Sequence, residues 1–430
     1  MRCLMAALSV VAGGVVAPTH AQSTLDRPIG AEYPYHLDSG TLGNAEEVAS
    51  MVFSRTVRVG GATWIRLHFG EVELGPGSVV RITSVLDQET QVLDAAGLAQ
   101  WGNTSAYFNG DAVLVELVGG PKTARNRLVV DHLSLELGIV PQVEICGICD
   151  VDDREPSDQD WVGRLVPAGC TASVWNQDSC LVSVGHCVNA DAVIEFRVPL
   201  SNPNCSLNHP PVADQFPIIE SISVNGGVGN DWAVMRTGTN SLGQTPYERY
   251  GQLRAIATSP APQYGTAAAW GYGVDTECAF HQVQQFSSGT LQSVRTGHYT
   301  YDIDTTDGNS GSPIMYGGEI IAVATHCNCP DNFGTRVDLP AFAAARAAIC
   351  GQPCPTDING DGVINIGDLI ALLLCFGQPV VPGCEAQDID EDGVVAVLDL
   401  IEVLLDLGTV CPEASLKSPD GDRQSSATGA

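Results

Sequence analysis

Three residues of this 430-residue chain combine a side chain and a setting suited to covalent chemistry. Ser310 sits in Gly-Asn-Ser-Gly, a tight turn that follows the strand-like run from Tyr301. Glycines at 308 and 311 let the backbone bend where a Cβ would clash, so the N–H groups of Gly308 and Ser310 can converge where negative charge develops. Each such donor is worth roughly 3 kcal/mol to a transition state. A serine hydroxyl is inert without a base, and His186 supplies one at the end of Cys-Leu-Val-Ser-Val-Gly-His. The carboxylate that orients such a histidine needs a sheltered place beside an apolar run. Asp231 opens Asp-Trp-Ala-Val-Met, whereas the run after Asp191 is broken by Glu195 and that after Asp214 by Pro217. The chemistry implied is acyl transfer: Ser310 attacks, His186 carries the proton, and Asp231 holds the imidazole in one tautomer.

The elements around these residues are short β-like runs. Between 161 and 350 they are broken by Gly, Pro and Asn, with little helical pattern before Ala341–Ala348, which is the habit of β-barrels. A bridge between Cys170 and Cys187 would pin His186, and closing a loop of that size is worth about 3 kcal/mol in the chain-entropy model. Upstream, alternation at Ile65, Leu67 and Phe69 and at Val113, Val115 and Leu117, with turns at Gly60-Gly61 and Gly75-Pro76-Gly77, predicts a β-sandwich within an N-terminal β-rich domain over 22–140. It is either a pro-domain or a retained module. Cys146 and Cys149 mark the boundary; with no second pair at finger spacing, they read as structural disulfides rather than a zinc or redox motif.

Residues 1–21 have a basic start, an apolar run and small residues at a cleavage point, as in a secretory signal, so the protein is expected outside the cytoplasm or at the cell surface. No later run reaches the roughly 20 apolar residues of a membrane span. Setting Cys3 aside, an even number of the 15 cysteines remains, which suits an oxidising compartment. Fifty acidic against twenty basic residues, a net charge of −30, oppose binding to nucleic acid and favour cations such as calcium.

Taken together, Ser-Val-Gly-His-Cys around His186, Asp-Trp-Ala-Val after Asp231 and Gly-Asn-Ser-Gly-Ser-Pro around Ser310 resemble the boxes of the chymotrypsin-like serine endopeptidases, in their bacterial glutamyl and lysyl branch. The resemblance covers 146–350. It implies two six-stranded barrels with His186, Asp231 and Ser310 in the cleft between them. Asn309 stands where animal digestive members have an aspartate that pairs with a newly cut N-terminus. Asp304 stands where trypsin-like members bind lysine or arginine, implying cleavage after basic residues. Glutamyl endopeptidases use hydroxyls and a histidine instead, a chemistry that Thr325 and His326 offer. A different class, a protease-like adhesin or scaffold that only binds, is opposed by the complete set of three residues.

A second constellation lies at 354–412. Asp357, Asn359, Asp361, the Val363 carbonyl, Asn365 and Asp368 fall at calcium-loop positions, and the pattern recurs with Asp388, Asp390, Asp392, Val394 and Asp399, Ala396 being a non-ligand. Each loop precedes one apolar segment, Leu369–Phe376 or Leu400–Leu407. The pair resembles a dockerin, which implies two calcium ions, a small α-helical domain and a cohesin-like partner. Cys354, Cys375, Cys384 and Cys411 bracket the two units, and 413–430 read as a disordered tail. The expected architecture is thus mainly β: a β-sandwich, a double β-barrel protease and a small helical calcium module.

Overall fold

The computed structural model describes residues 20–21, 29–138, 146–148, 151–350, 356–359, 363–381, 384, 387–390 and 392–409. Most of the segment expected as a signal, Cys149, Cys354, Asp361, Cys411 and 413–430 lie outside the described residues.

Six antiparallel strands, Val162–Val166, Cys170–Val174, Cys180–Ser183, Val193–Glu195, Gln215–Asn225 and Asp231–Thr237, close into a barrel. The first three are buried along their whole length, so they do not alternate. For the first of these and for Val193–Glu195 the reason lies on both sides of the sheet: Leu165 and Ile194 face one core, whereas Val166 and Val193 join the core of the N-terminal sheets. A second ring is formed by Thr266–Gly271, Gln285–Val294, His298–Tyr301, Asn332–Arg336, Glu319–Cys327 and Pro313–Tyr316 around Leu291, Tyr299, Ile314 and Ile321. Two six-stranded barrels thus form the centre of the molecule, followed by the helix Pro340–Cys350. His20–Ala21, the last residues of the segment expected as a signal, pair with His326 and Cys327.

Upstream are two four-stranded antiparallel sheets. One joins Ala31–Asp38, Arg127–Glu136, Trp64–Glu73 and Phe108–Asn109; the other joins Ser50–Arg58, Ala112–Gly119, Val79–Ser84 and Thr90–Leu93. Their shared core includes Ile65, Leu67, Val80, Ile82 and Val115, and the same core takes in Val166, Val193, Leu207 and Val212 from the barrel side. Polar contacts seal this junction. Arg66, 1% exposed, donates to the Asp191 carbonyl (2.9 Å). Tyr107 and Gln215 exchange two hydrogen bonds of 2.9 Å, and Asn109 and His209 exchange another pair.

In the C-terminal region two helices, Ile366–Leu373 and Val397–Asp406, pack Leu372 and Val403 around Ile364 and Val395. Each starts earlier than the apolar segments suggest, because Asp368 and Asp399 reach back to the N–H groups of Asn365 (2.9 Å) and Ala396 (2.7 Å) and cap the first turn. Cys375 is bonded to Cys384.

Candidate active site

The site is assembled from both barrels. The strand Cys180–Ser183 ends in a single 3₁₀ turn, Gly185–Cys187, that presents His186; the strand Asp231–Thr237 begins at Asp231; and Ser310 lies on the turn leading into Pro313–Tyr316. His186 Nδ1 is 2.5 Å from Asp231 Oδ2, and His186 Nε2 is 2.9 Å from Ser310 Oγ. The other oxygen of Asp231 accepts from the N–H groups of Gly185 (2.8 Å) and His186 (3.2 Å). A carboxylate in that place accepts a proton donor at Nδ1, which leaves the Nε2 lone pair toward the serine hydroxyl. Asp231 is 1% exposed and the His186 side chain 10%, so the pair is screened little by solvent. Cys170 and Cys187 form a disulfide behind the imidazole.

The turn around Ser310 is fixed by glycine stereochemistry. Gly308 and Gly311 have φ of +92° and +85°, and a Cβ at Gly311 would stand 2.1 Å from the Thr171 carbonyl. The Asp307 carbonyl accepts from Val274 N (2.8 Å), so the planar peptide turns the N–H of Gly308 the other way. Thr171 clasps the turn from the first barrel: its N–H donates to Ser310 O (2.8 Å) and its hydroxyl to Gly308 O (3.0 Å). Nothing in the sequence singled out Thr171, a hydroxyl on an otherwise buried strand.

Other predicted residues divide. Asp191 pairs with Arg66, and Asp214 holds Arg249 and the hydroxyl of Tyr250, so neither serves His186. The Asp304 side chain is buried and already engaged: Oδ2 accepts from Asp153 N (3.0 Å). Burial, with Asp153 and Asp152 nearby, pushes its carboxyl up to about 6. The Thr325 hydroxyl donates to the Phe333 carbonyl (3.2 Å). His326 is 6% exposed, its Nδ1 is buried without a hydrogen-bond partner, and burial holds its imidazole below the ordinary histidine range.

A buried ionic group was also missed by sequence reasoning. Arg164 and His209 both reach Glu195 (2.8 and 2.6 Å) with no exposure at any of the three side chains. Burial alone would raise the Glu195 carboxyl, but His209 and Arg164 hold it below the usual range. Each of these residues looks like an isolated polar interruption in the sequence.

In the C-terminal loops, Asp388, Asp390 and Asp392 bring carboxylate oxygens within 4.8 Å of one another, and Asp388 Oδ1 is buried without a hydrogen-bond partner. Three convergent carboxylates and an orphaned oxygen fit a hard cation. Asp399 contributes differently: Oδ1 accepts from Ile389 (2.6 Å) and Asp390 (3.2 Å), and although burial opposes its charge, these backbone donors and Ala396 keep the carboxyl below its ordinary value. In the first loop Asp368 accepts from Asn359 N (3.0 Å), while Asn365 donates to the Val363 carbonyl (2.7 Å) and accepts from Gly367 N.

Residues 148–344 match the protein-family model described as Trypsin. This stretch is a trypsin-like serine protease domain. The protein is accordingly a serine endopeptidase, and its protease domain acts on protein or peptide substrates. No curated protein matches the sequence. Among solved structures, a Glu endopeptidase in complex with MPD is similar at 21% identity over 45% of this chain and 95% of its own, with a TM-score of 0.38. Human heparin binding protein is similar at 12% identity over 44% and 92%, with a TM-score of 0.34. The thermostable serine protease AL20 from an extremophilic microorganism is similar at 17% identity over 41% and 91%, with a TM-score of 0.34. Among the described residues of the whole chain, no helix is long and apolar enough to cross a membrane.

Proposed function

We propose that the protease domain hydrolyses peptide bonds by attack of Ser310, with His186 as base and then acid, and with Asp231 holding His186 in the productive tautomer. The observation that carries this reading is the unbroken chain from Asp231 Oδ2 through both nitrogens of His186 to Ser310 Oγ, at 2.5 and 2.9 Å. The N–H groups of Gly308 and Ser310 stabilise the tetrahedral oxyanion. An acyl-enzyme forms as His186 protonates the leaving amine, and water then releases it.

For the residue before the cut, an acidic side chain fits better than a basic one. A basic preference rests on Asp304, yet its side chain is buried and its Oδ2 already accepts from the Asp153 N–H (3.0 Å). His326 offers a buried, unpartnered ring nitrogen instead, two residues beyond Ala324, whose carbonyl accepts from the N–H of Gly311 beside Ser310 (2.8 Å). Cleavage of a peptide library by parent, Ser310→Ala, Asp304→Ser and His326→Ala tests both points. Cleavage after Glu that is lost in His326→Ala supports the reading. Cleavage after Arg or Lys, lost in Asp304→Ser, returns the assignment to Asp304, and cleavage by Ser310→Ala removes the catalytic assignment.

The chain is read as exported, guided by the segment 1–21 and consistent with the disulfides Cys146–Cys327, Cys180–Cys350 and Cys205–Cys278. The C-terminal unit is read as a dockerin-like module that binds two calcium ions and docks a cohesin-like partner. Its helices leave Ile366, Ile370, Leu374, Leu398, Ile401 and Leu405 exposed. A calorimetric titration with calcium tests the first part, and two bound ions per chain are expected.

A further inference from the structure

The segment leading into the first barrel is built into the wall behind residues 304–306. Cys146 is bonded to Cys327, next to His326. Gly147, at φ +93°, packs so closely that a Cβ would lie 2.3 Å from the Thr305 carbonyl, and its own carbonyl accepts from Asn332 Nδ2 (2.9 Å). Asp153 caps Asp304 through its N–H and accepts from the Ser287 hydroxyl (2.9 Å). Arg154, with a side chain only 2% exposed, donates from Nη1 to the Val274 carbonyl (2.9 Å) and the Thr306 hydroxyl (3.0 Å), and is balanced by Asp152 (2.7 Å) and Asp275 (3.4 Å).

From Thr306 the contacts run directly to the nucleophile turn. Thr306 N donates to Asn309 Oδ1 (2.9 Å), Asn309 N donates to the Thr306 carbonyl (2.9 Å), and Asn309 Nδ2 donates to Ser312 Oγ (3.2 Å). Asn309 immediately precedes Ser310, so the guanidinium of Arg154 is separated from the Ser310 turn by one residue's hydrogen bonds.

We propose that Arg154 is a positioning residue for the Ser310 turn, and that the stretches 146–148 and 151–156, left uncut, are working parts of the enzyme, so the full chain is active without cleavage there. A guanidinium taken out of water is costly unless its donors are used, and here they are spent on two loops and two carboxylates. Loss of these stretches would remove the Arg154 donor from the Thr306 hydroxyl, leaving it the Val274 carbonyl (3.0 Å) and Asn309 Oδ1 (3.3 Å), would take the Asp153 N–H from Asp304, and would loosen the turn that must hold the oxyanion donors within a fraction of an ångström. The proposal rests on the reading of Ser310 as nucleophile.

The test uses the full-length protein and its Arg154→Ala, Arg154→Lys and Thr306→Val variants, with kcat and KM measured separately with and without millimolar guanidinium. Arg154→Ala is expected to lower kcat by about tenfold or more while KM moves less than about threefold. Guanidinium should restore part of kcat in Arg154→Ala and none in Thr306→Val, with Arg154→Lys intermediate. If Arg154→Ala does not fold, Thr306→Val carries the test with the same expected fall in kcat. Peptide mapping of parent labelled with a fluorophosphonate should find 146–156 intact in the labelled molecules. Parental kcat in either variant, a folded Arg154→Ala that guanidinium does not restore, or label only on molecules cut within 146–156 would overturn the proposal. A parent that takes up no label would remove the Ser310 reading first, and this proposal with it.

Discussion

Asp231→Asn is the substitution whose outcome the geometry constrains most tightly. Asp231 Oδ1 accepts from two backbone N–H groups, those of Gly185 and His186, at 2.8 and 3.2 Å. Those groups can only donate, so an asparagine must keep its oxygen there and turn its NH₂ toward His186 Nδ1, where Oδ2 now lies at 2.5 Å. The amide then donates to Nδ1, the imidazole proton moves to Nε2, and Nε2 can no longer accept from Ser310. Flipping the amide would restore the tautomer but leave two buried N–H donors against an NH₂, a cost of about 1–3 kcal/mol for each unsatisfied group. The protein therefore stays in the wrong tautomer. Since removing the base in this way costs about 10⁴ in kcat, or about 5.4 kcal/mol, the variant should fall by that order with KM changed less than about threefold. Steady-state kinetics on one peptide substrate, with circular dichroism to show an unchanged fold, checks this. A folded Asp231→Asn that keeps kcat within about tenfold of the parent would refute the assignment of Asp231.

Gly311→Ala should reduce kcat by about 10² while leaving most substrate affinity, because its Cβ would press on the Thr171 carbonyl and the Ser183 hydroxyl (2.2 Å) and displace the turn; kcat and KM on the same peptide decide it. For Asp304 the folded protein holds the proton to about 6 against an ordinary value of 3.8, so its stabilising proton is fully present below 3.8 and is lost as pH rises through 6. Asp304→Asn should consequently raise Tm at about pH 7.5, and the gain should shrink as the pH is lowered toward the ordinary carboxylate range, as thermal melts across pH would record. Chelation of calcium should lower the melting of the C-terminal unit by an amount that calcium at a hundredfold excess over its Kd offsets by about 2.7 kcal/mol, and Asp388→Asn should weaken that response. The N-terminal sheets should remain in the active enzyme, because their core is continuous with Val166, Val193, Leu207 and Val212 and their removal would expose it; intact-mass measurement of fluorophosphonate-labelled protein checks this.

What the sequence makes legible follows from how local each constraint is. Ser310, His186 and Asp231 are marked by short motifs whose residue types are demanded by the turn, the strand end and the sheltered carboxylate, and the structure brings all three within hydrogen-bond reach. Alternation betrays strands such as Val79–Ser84, which has one buried face, but not Val162–Val166, whose two faces meet two different cores. Arg154 and Thr171 carry no local mark. Their importance comes from partners more than a hundred positions away, Thr306 for one and Gly308 for the other, and only the fold supplies those. The same holds for Asp304: its place six positions before Ser310 is legible, while the Asp153 N–H that engages it belongs to a segment that looks like a polar linker. In the C-terminal repeat the capping by Asp368 and Asp399 moves each helix start back into the loop, an effect that apolar periodicity does not register.

One hydroxyl, that of Ser310, activated by His186 and Asp231, is proposed to do the chemistry. Titration of the full-length protein with a fluorophosphonate, followed by mass mapping of the labelled peptide, tests it most directly. One equivalent of label on Ser310 is expected, with no labelling of Ser310→Ala and strongly slowed labelling of Asp231→Asn. Absence of label from correctly folded parent, or label on any other residue, would contradict it.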